Sequence, residues 1–150
     1  TPMFTHASWS DFRIIRAQLS GVSLDDPTTT TKGRTIPYAV FATPELARIG
    51  LSEGEARAVG LDVRIAKVPT AAIPRAKTLR YAGEGFWKAV VDANTHQILG
   101  ATLIGPNVSE VITAVQLAMA GGLTYEQLRF LPVAHPTMAE GLQVLFDSLG

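Results

Sequence analysis

The sequence of 150 residues contains no cysteine, and this absence excludes several kinds of chemistry within the chain. An internal disulfide, a thiolate zinc site and a cysteine nucleophile all require that side chain. A Gly-x-Ser-x-Gly turn for a serine nucleophile is also missing, and the sequence offers no cluster of metal ligands. The nearest glycine-rich candidate, residues 83–85, leads into a predicted strand, so we do not predict a dinucleotide-binding Rossmann unit.

Long apolar runs and blocks of charge of one sign are absent as well, in a composition that is ordinary for a soluble globular protein. Charged residues make up 17% of the sequence and aromatic residues 7%, and 13 basic residues balance 13 acidic ones. Because no block of one sign stands out, we expect neither nucleic acid nor a membrane surface as a partner. The most apolar run, residues 111–123, is shorter than the roughly 20 residues that span a bilayer. We see no secretory leader and expect a cytoplasmic protein.

Hydrophobic periodicity predicts both strands and helices. The predicted strands cover residues 38–42, 61–69, 86–92 and 97–105, and the last two form a hairpin around a turn at 93–96. Start and stop signals predict helices over 7–20 and 107–120, short ones from Thr43, Ser52 and Thr124, and a last one from Thr137 to about Leu149. Hairpin strands followed by helices favour an α+β fold, in which an antiparallel β-sheet carries helices on one face as a two-layer sandwich.

Two polar segments are predicted to connect these elements. Residues 23–35 contain a proline and four consecutive threonines without an apolar period, which predicts an exposed linker and the clearest boundary in the chain. Residues 71–84 are basic and are predicted to be irregular, with Arg75 as a surface charge. The chain opens on Thr1-Pro2 and its first methionine is Met3, so we expect a fragment of a longer protein.

The segment VAHPTMAE, residues 133–140, permits two interpretations. Thr137 and Glu140 have the spacing of a capping box, in which the Thr oxygen accepts a first-turn amide and the Glu reaches back to the cap amide. Alternatively, the helix brings Glu140 back towards His135, where a carboxylate fixes the tautomer and leaves the other ring nitrogen to move protons. Taken alone, the residues favour the cap, since the chain has no thiol for such a pair to deprotonate.

The other two histidines are weaker candidates for chemistry. His96 falls in the predicted hairpin turn and is expected to be solvated. His6 lies at the front of the first predicted helix, where a loop or capping role is the default.

Several short motifs occur in a characteristic order from Ile36 onward. They are residues 36–45 (IPYAVFATPE), 50–53 (GLSE), 85–88 (GFWK), 91–92 (VD), 98–101 (ILGA) and 135–140 (HPTMAE). Together they closely resemble the C-terminal dimerisation domain of the FAD-dependent pyridine nucleotide–disulfide oxidoreductases, and HPTMAE matches the family signature His-Pro-Thr-x-x-Glu. The resemblance implies that residues 1–21 are the tail of an FAD domain, that 22–35 are a linker and that 36–150 are the dimerisation domain.

The resemblance also implies a division of labour in a homodimeric parent enzyme with FAD and NAD domains upstream. NAD(P)H reduces FAD, FAD reduces a cysteine pair, and the thiols reduce the substrate. His135 is expected to act as acid and base towards the thiols of the partner subunit, with Glu140 orienting it. The residues expected to contact FAD are Met3, Phe4, Thr5, His6 and, at the flavin of the other subunit, Pro136. The fragment alone is expected to bind no cofactor and to be inactive.

Departures from the family pattern bear on the substrate. The vicinal cysteine pair of mercuric reductases is absent, and Gly141 stands where glutathione-reductase-like members often carry a second Glu, so neither mercuric ion nor glutathione is expected. Residues 4–15 and 73–76 look closest to the branch linked to reactive-chlorine defence. Two other hypotheses stay open: a stand-alone interaction module in which Thr137 and Glu140 only cap a helix, and a self-contained Ser–His–acid hydrolase.

Overall fold

The computed structural model describes residues 2–23, 26 and 29–150. They fall into two compact units, Thr1–Ile36 and Pro37–Gly150. The predicted FAD-domain tail and linker lie only in part within the described residues, and the positions outside them are Thr1, Leu24, Asp25, Pro27 and Thr28. Within the part of the chain that the structure describes, no helix is both long and apolar enough to cross a membrane.

The first unit is built on helix α1, Thr5–Leu19, which begins two residues before the predicted start. The side chains that it buries are Ala7 and Ile14. The apolar side chains that predicted the helix stay largely exposed, and they are Phe12, Ile15 and Leu19. The predicted helix is therefore confirmed, while the apolar side chains that indicated it are exposed within the described residues.

Thr29 lies in the segment predicted to be an exposed linker, yet its side chain is buried. Its hydroxyl lies 2.8 Å from the carbonyl oxygen of Asp26 and 2.9 Å from that of Ser23. Its own carbonyl accepts a hydrogen bond from Gln18 Nε2 at 2.8 Å. The expected exposure is wrong at Thr29, because its hydroxyl bonds nearby backbone groups instead of water and its carbonyl is tied to α1.

The second unit contains a five-stranded sheet in which every strand pairs antiparallel to its neighbours. The strands are β1 (Tyr38–Val40), β2 (Glu45–Gly50), β3 (Val63–Pro69), β4 (Phe86–Asp92) and β5 (Ile98–Gly105). Their order across the sheet is β1-β2-β5-β4-β3. The predicted hairpin of β4 and β5 is confirmed, and so are the strands that begin at Tyr38 and Val63.

This unit has five α-helices, and all but the first of them cover one face of the sheet. They are α2 (Glu53–Ala58), α3 (Pro74–Thr78), α4 (Val108–Ala120), α5 (Tyr125–Arg129) and α6 (Gly141–Asp147). The main core lies between the sheet and α3 to α6, and Trp87, Phe146 and Leu103 are fully buried there. Helix α2 is the exception, because Ala56 packs on Val90, which alternates along β4 with the core residues and so points to the opposite face. The predicted α+β architecture is confirmed.

The helix predicted from Thr43-Pro44-Glu45 is wrong. Thr43 and Pro44 are joined by a cis peptide bond, and the residues that follow form strand β2 between β1 and β5. Ala47 and Ile49 alternate into the core, so pairing and burial on both sides outweigh the local capping pattern. The Glu45 carboxylate instead accepts from the amide and the hydroxyl of Ser109, at 3.2 and 2.8 Å, in the first turn of α4.

The connection predicted to be irregular, residues 71–84, contains a short helix. A 3₁₀ turn over Thr70–Ala72 leads into α3, where Pro74 occupies the first helical turn as its fixed φ allows. Ile73, between the two, is fully buried. Arg75 and Lys77 therefore lie on a short helix whose start is anchored in the core, and Arg80 follows the end of that helix.

A capping box begins α2, as predicted. The Ser52 hydroxyl accepts from the Glu55 amide at 3.2 Å, and the Glu55 carboxylate accepts from the Ser52 amide at 2.7 Å. Arg48 donates to the same carboxylate at 2.5 Å. Hydrogen bonds from Ser52, through its side chain and its backbone, and the positive charge of Arg48 lower the pKa of Glu55 below its ordinary value of 4.5.

We expect Ser52→Ala to raise the pKa of Glu55 towards 4.5, measured by ¹³C NMR of the carboxyl carbon during an acid titration. Because the pKa of Glu55 is lower in the folded than in the unfolded chain, the contact stabilises the fold fully when the pH is above the unfolded-state pKa. This contribution is lost as the pH falls through the folded-state pKa. Thr124→Ala is the matched control, since it breaks a second capping box in which Gln127 replaces the carboxylate. An unchanged Glu55 pKa in Ser52→Ala would contradict this assignment.

Candidate functional site

His135 and Glu140 form a close pair at the start of the last helix. The Nδ1 atom of His135 lies 2.9 Å from Glu140 Oε1 and 3.0 Å from Oε2. The imidazole is 66% exposed, whereas the carboxylate is only 16% exposed. None of the other described residues bonds to the imidazole, so Nε2 is open to a group from outside the chain. The sequence-predicted proximity of these two residues is thus present in the structure.

A turn before α6 holds this pair in place. The Thr137 hydroxyl donates to the Ala134 carbonyl at 2.8 Å and accepts from the Glu140 amide at 3.2 Å. The predicted capping box is therefore only half right, because the Glu140 carboxylate contacts His135 instead of returning to the Thr137 amide. The predicted helix start is also wrong, since α6 begins at Gly141 after a non-helical turn.

The segment that leads into this turn is anchored by α6. Gln143 Nε2 donates to the Leu131 carbonyl at 2.6 Å. Pro136, half-buried, follows His135 through a cis peptide bond, and Met138 is buried in the core. The backbone that carries the pair is therefore held by the Gln143–Leu131 hydrogen bond before it and by the burial of Met138 within it.

The residues predicted to contact FAD lie together at the N-terminus of α1, apart from Pro136. Phe4 is the N-cap residue in an extended conformation, and Thr5 and His6 begin the helix. Phe4 makes no capping hydrogen bond through its side chain, and the first turn carries no acidic residue. The rings of Phe4 and His6 stack with centroids 5.3 Å apart. An open groove of about 580 Å³ borders this helix start, and Met3, Phe4 and Thr5 are among the residues that line it.

A second histidine–carboxylate pair was not predicted from the sequence. His96 Nδ1 lies 2.6 Å from Glu126 Oε1, and the His96 ring tilts against Tyr125 at 5.5 Å between centroids. Burial, which raises the pKa of Glu126, is outweighed by hydrogen bonds to its carboxylate, including those from Thr124 and His96, so the pKa is lowered. The expected solvation of His96 is right only in part, because its side chain is 41% exposed and a bridge between Gln97 and Thr124 brings the hairpin turn to α5.

Comparison with known families identifies the second unit. The model of the pyridine nucleotide-disulphide oxidoreductase dimerisation domain matches residues 36–145. The chain belongs to this family. The family resemblance inferred from the ordered motifs is confirmed, and so is the fold that it implies.

Relatives of this dimerisation domain include full-length reductases. The chain is 40% identical over 144 residues to the probable pyridine nucleotide-disulfide oxidoreductase RclA of Escherichia coli K12, which covers 96% of the chain and 32% of the relative. It is 40% identical over 114 residues to dihydrolipoyl dehydrogenase of Thermus scotoductus, covering 76% of the chain and 24% of that protein. The solved structure of the HOCl-induced flavoprotein disulfide reductase RclA from Escherichia coli matches with a TM-score of 0.87 and 39% identity, over 98% of the chain and 33% of that structure. The chain thus spans about a third of these relatives or less.

Proposed function

We propose that this domain supplies His135 and Glu140 as an acid–base pair to the active site of a partner subunit, in a FAD-dependent NAD(P)H:disulfide oxidoreductase. One observation carries the proposal: an exposed imidazole is held at Nδ1 by a largely buried carboxylate. The chain has no cysteine of its own for this pair to serve. Membership of a dimerisation-domain family supports a partner subunit of the longer parent enzyme as the source of the reacting thiol.

The geometry assigns the two ring nitrogens of His135 to different tasks. Glu140 accepts from Nδ1–H, which fixes the tautomer and leaves Nε2 to take a proton from a thiol or to return it. Because the imidazole is 66% exposed, it can meet a group carried by another subunit.

The N-terminus of α1 fits the FAD-contacting role that we propose for Met3, Phe4, Thr5 and His6. A helix N-terminus presents backbone N–H groups and a partial positive charge, which favour electron-rich oxygen atoms. The first turn of α1 carries no acidic side chain that would repel such atoms. FAD, when bound, supplies the electron transfer between the pyridine nucleotide and the disulfide. We propose that Pro136 contacts the flavin of the partner subunit.

In the same proposal, residues 1–21 belong to the FAD domain, residues 22–35 form the linker, and the parent enzyme is a cytoplasmic homodimer. We place the parent nearest to the branch linked to reactive-chlorine defence. The 40% identity to RclA over 96% of the chain supports this placement, and the related solved structure is described as HOCl-induced.

We expect the 150-residue chain to self-associate and to show no NADH- or NADPH-dependent disulfide reductase activity. The reason is that a dimerisation domain retains its contact surface, while this sequence contains no cysteine to form a redox pair. Sedimentation equilibrium over a broad concentration range measures the first property, and a thiol-release assay measures the second. A chain that stays strictly monomeric would favour the stand-alone interaction module instead.

A further inference from the structure

Gly141, the first residue of α6, is buried and directly follows Glu140 in the sequence. A Cβ atom added at Gly141 would lie 2.6 Å from Trp87 Cζ3, 2.8 Å from Trp87 Cη2 and 2.8 Å from Ile73 Cδ1. Side-chain atoms do not approach this closely in folded proteins, because interiors are packed at van der Waals contact. The site therefore has no space for any side chain at position 141.

Space, and not backbone conformation, requires glycine at this position. The φ angle of Gly141 is outside the left-handed region, where an L-residue would be strained. Helix propensity would favour alanine over glycine within a helix. The indole cannot easily retreat, because Trp87 is fully buried and pairs with Val68 and Leu103 on the neighbouring strands. Ile73, also fully buried, closes the other side.

The backbone at Gly141 is continuous with the groups that hold the pair. Its amide donates to the Met138 carbonyl at 2.9 Å, within the same turn in which the Glu140 amide donates to Thr137. A shift of Gly141 away from Trp87 would therefore move Glu140, whose carboxylate meets His135 Nδ1 with both oxygens near 3 Å. The contact between Gly141 and Trp87 thus fixes the place of the carboxylate.

We propose that Gly141, seated on Trp87 and Ile73, is a positioning residue that holds Glu140 against His135. Because residue 141 has no side chain, its backbone can pack directly against the indole of Trp87, and this contact sets the position of the Glu140 carboxylate. Its catalytic meaning rests on the proposed function of the pair, whereas the geometric claim is independent of that function.

The test compares Gly141→Ala, Trp87→Phe and the double variant in the ¹⁵N-histidine-labelled chain by NMR. We expect Gly141→Ala to shift the His135 Nδ1 resonance towards its position in Glu140→Ala, because the carboxylate is displaced. Phenylalanine lacks the ring that carries Cζ3 and Cη2, so Trp87→Phe opens space for the new methyl group, and the double variant should regain the parent resonance. The His96–Glu126 pair is an internal reference that reports whether each variant is folded.

Gly54→Ala is the matched control, because a Cβ atom there meets nothing within 4 Å. A His135 resonance that is unchanged in Gly141→Ala would overturn the positioning role, and so would a double variant that stays shifted while the His96 signal is normal. Failure of the proposed function gives a different result. In that case His135→Ala leaves the turnover of the full-length enzyme intact, while the Gly141→Ala shift is still observed.

Discussion

Replacing His135 by alanine in the full-length reductase is expected to lower turnover by about 10²- to 10⁴-fold, the usual contribution of a positioned acid–base group. Flavin content should not change, because His135 makes its contact within the described chain to Glu140 alone. Stopped-flow measurement of NAD(P)H oxidation with a disulfide acceptor gives the rate, and the flavin absorbance gives the cofactor content. The loss arises because His135 is the group proposed to exchange the thiol proton.

His96→Ala is the matched control for this experiment. His96 makes the same kind of contact, Nδ1 to a glutamate oxygen at 2.6 Å, but its partner is on α5 and its imidazole packs against Tyr125. Turnover should survive this change. The turnover of Glu140→Ala should lie between those of His135→Ala and His96→Ala, because the imidazole of His135 remains but its tautomer is no longer fixed. Full activity in His135→Ala would remove the catalytic assignment.

Trp87→Ala is expected to lower the free energy of unfolding of the second unit by about 3–5 kcal/mol, the range for removing a large buried aromatic side chain. Trp87 is fully buried on β4 and is the largest of the fully buried side chains. Its Nε1 bonds to none of the described residues, so the loss comes from packing and from the cavity left behind. Urea denaturation followed by far-UV circular dichroism measures it.

Trp9→Ala supplies the control, because that indole is 61% exposed on α1. An exposed substitution usually changes stability by no more than about 0.5 kcal/mol. If Trp87→Ala and Trp9→Ala gave similar midpoints with equal denaturant slopes, the description of the core around Trp87 would be wrong.

Much of the fold was predictable because apolar and polar residues alternate along the strands of the sheet. Alternation along β3 and β4 and the capping boxes at Ser52 and Thr124 are local signals, and they led to the correct elements. The helix predicted from Thr43-Pro44-Glu45 was wrong because these three residues suit both a helix start and a turn into a strand. Pairing with β5, whose Gly105 lies opposite Glu45, decides between them.

The same distinction applies to the candidate site. His135 and Glu140 are five residues apart, so a single turn brings them together and the sequence alone suggested the contact. His96 and Glu126 are separated by 30 residues and meet only because the Gln97–Thr124 bridge joins the hairpin to α5. The packing of Gly141 on Trp87 could not be predicted either, because periodicity indicates which face of a helix is buried but not which residue of the sheet it contacts.

The contact between Glu45 and Ser109 affects how this domain unfolds locally. Helix α4 begins after Asn107 in a left-handed conformation without a side-chain cap of its own, and its Ser109 amide is satisfied by a residue of β2. Fraying of the first turn of α4 must therefore break a charge-assisted bond to the sheet. The start of the helix and the strand belong to one cooperative unit, and their amide protons should exchange with solvent together.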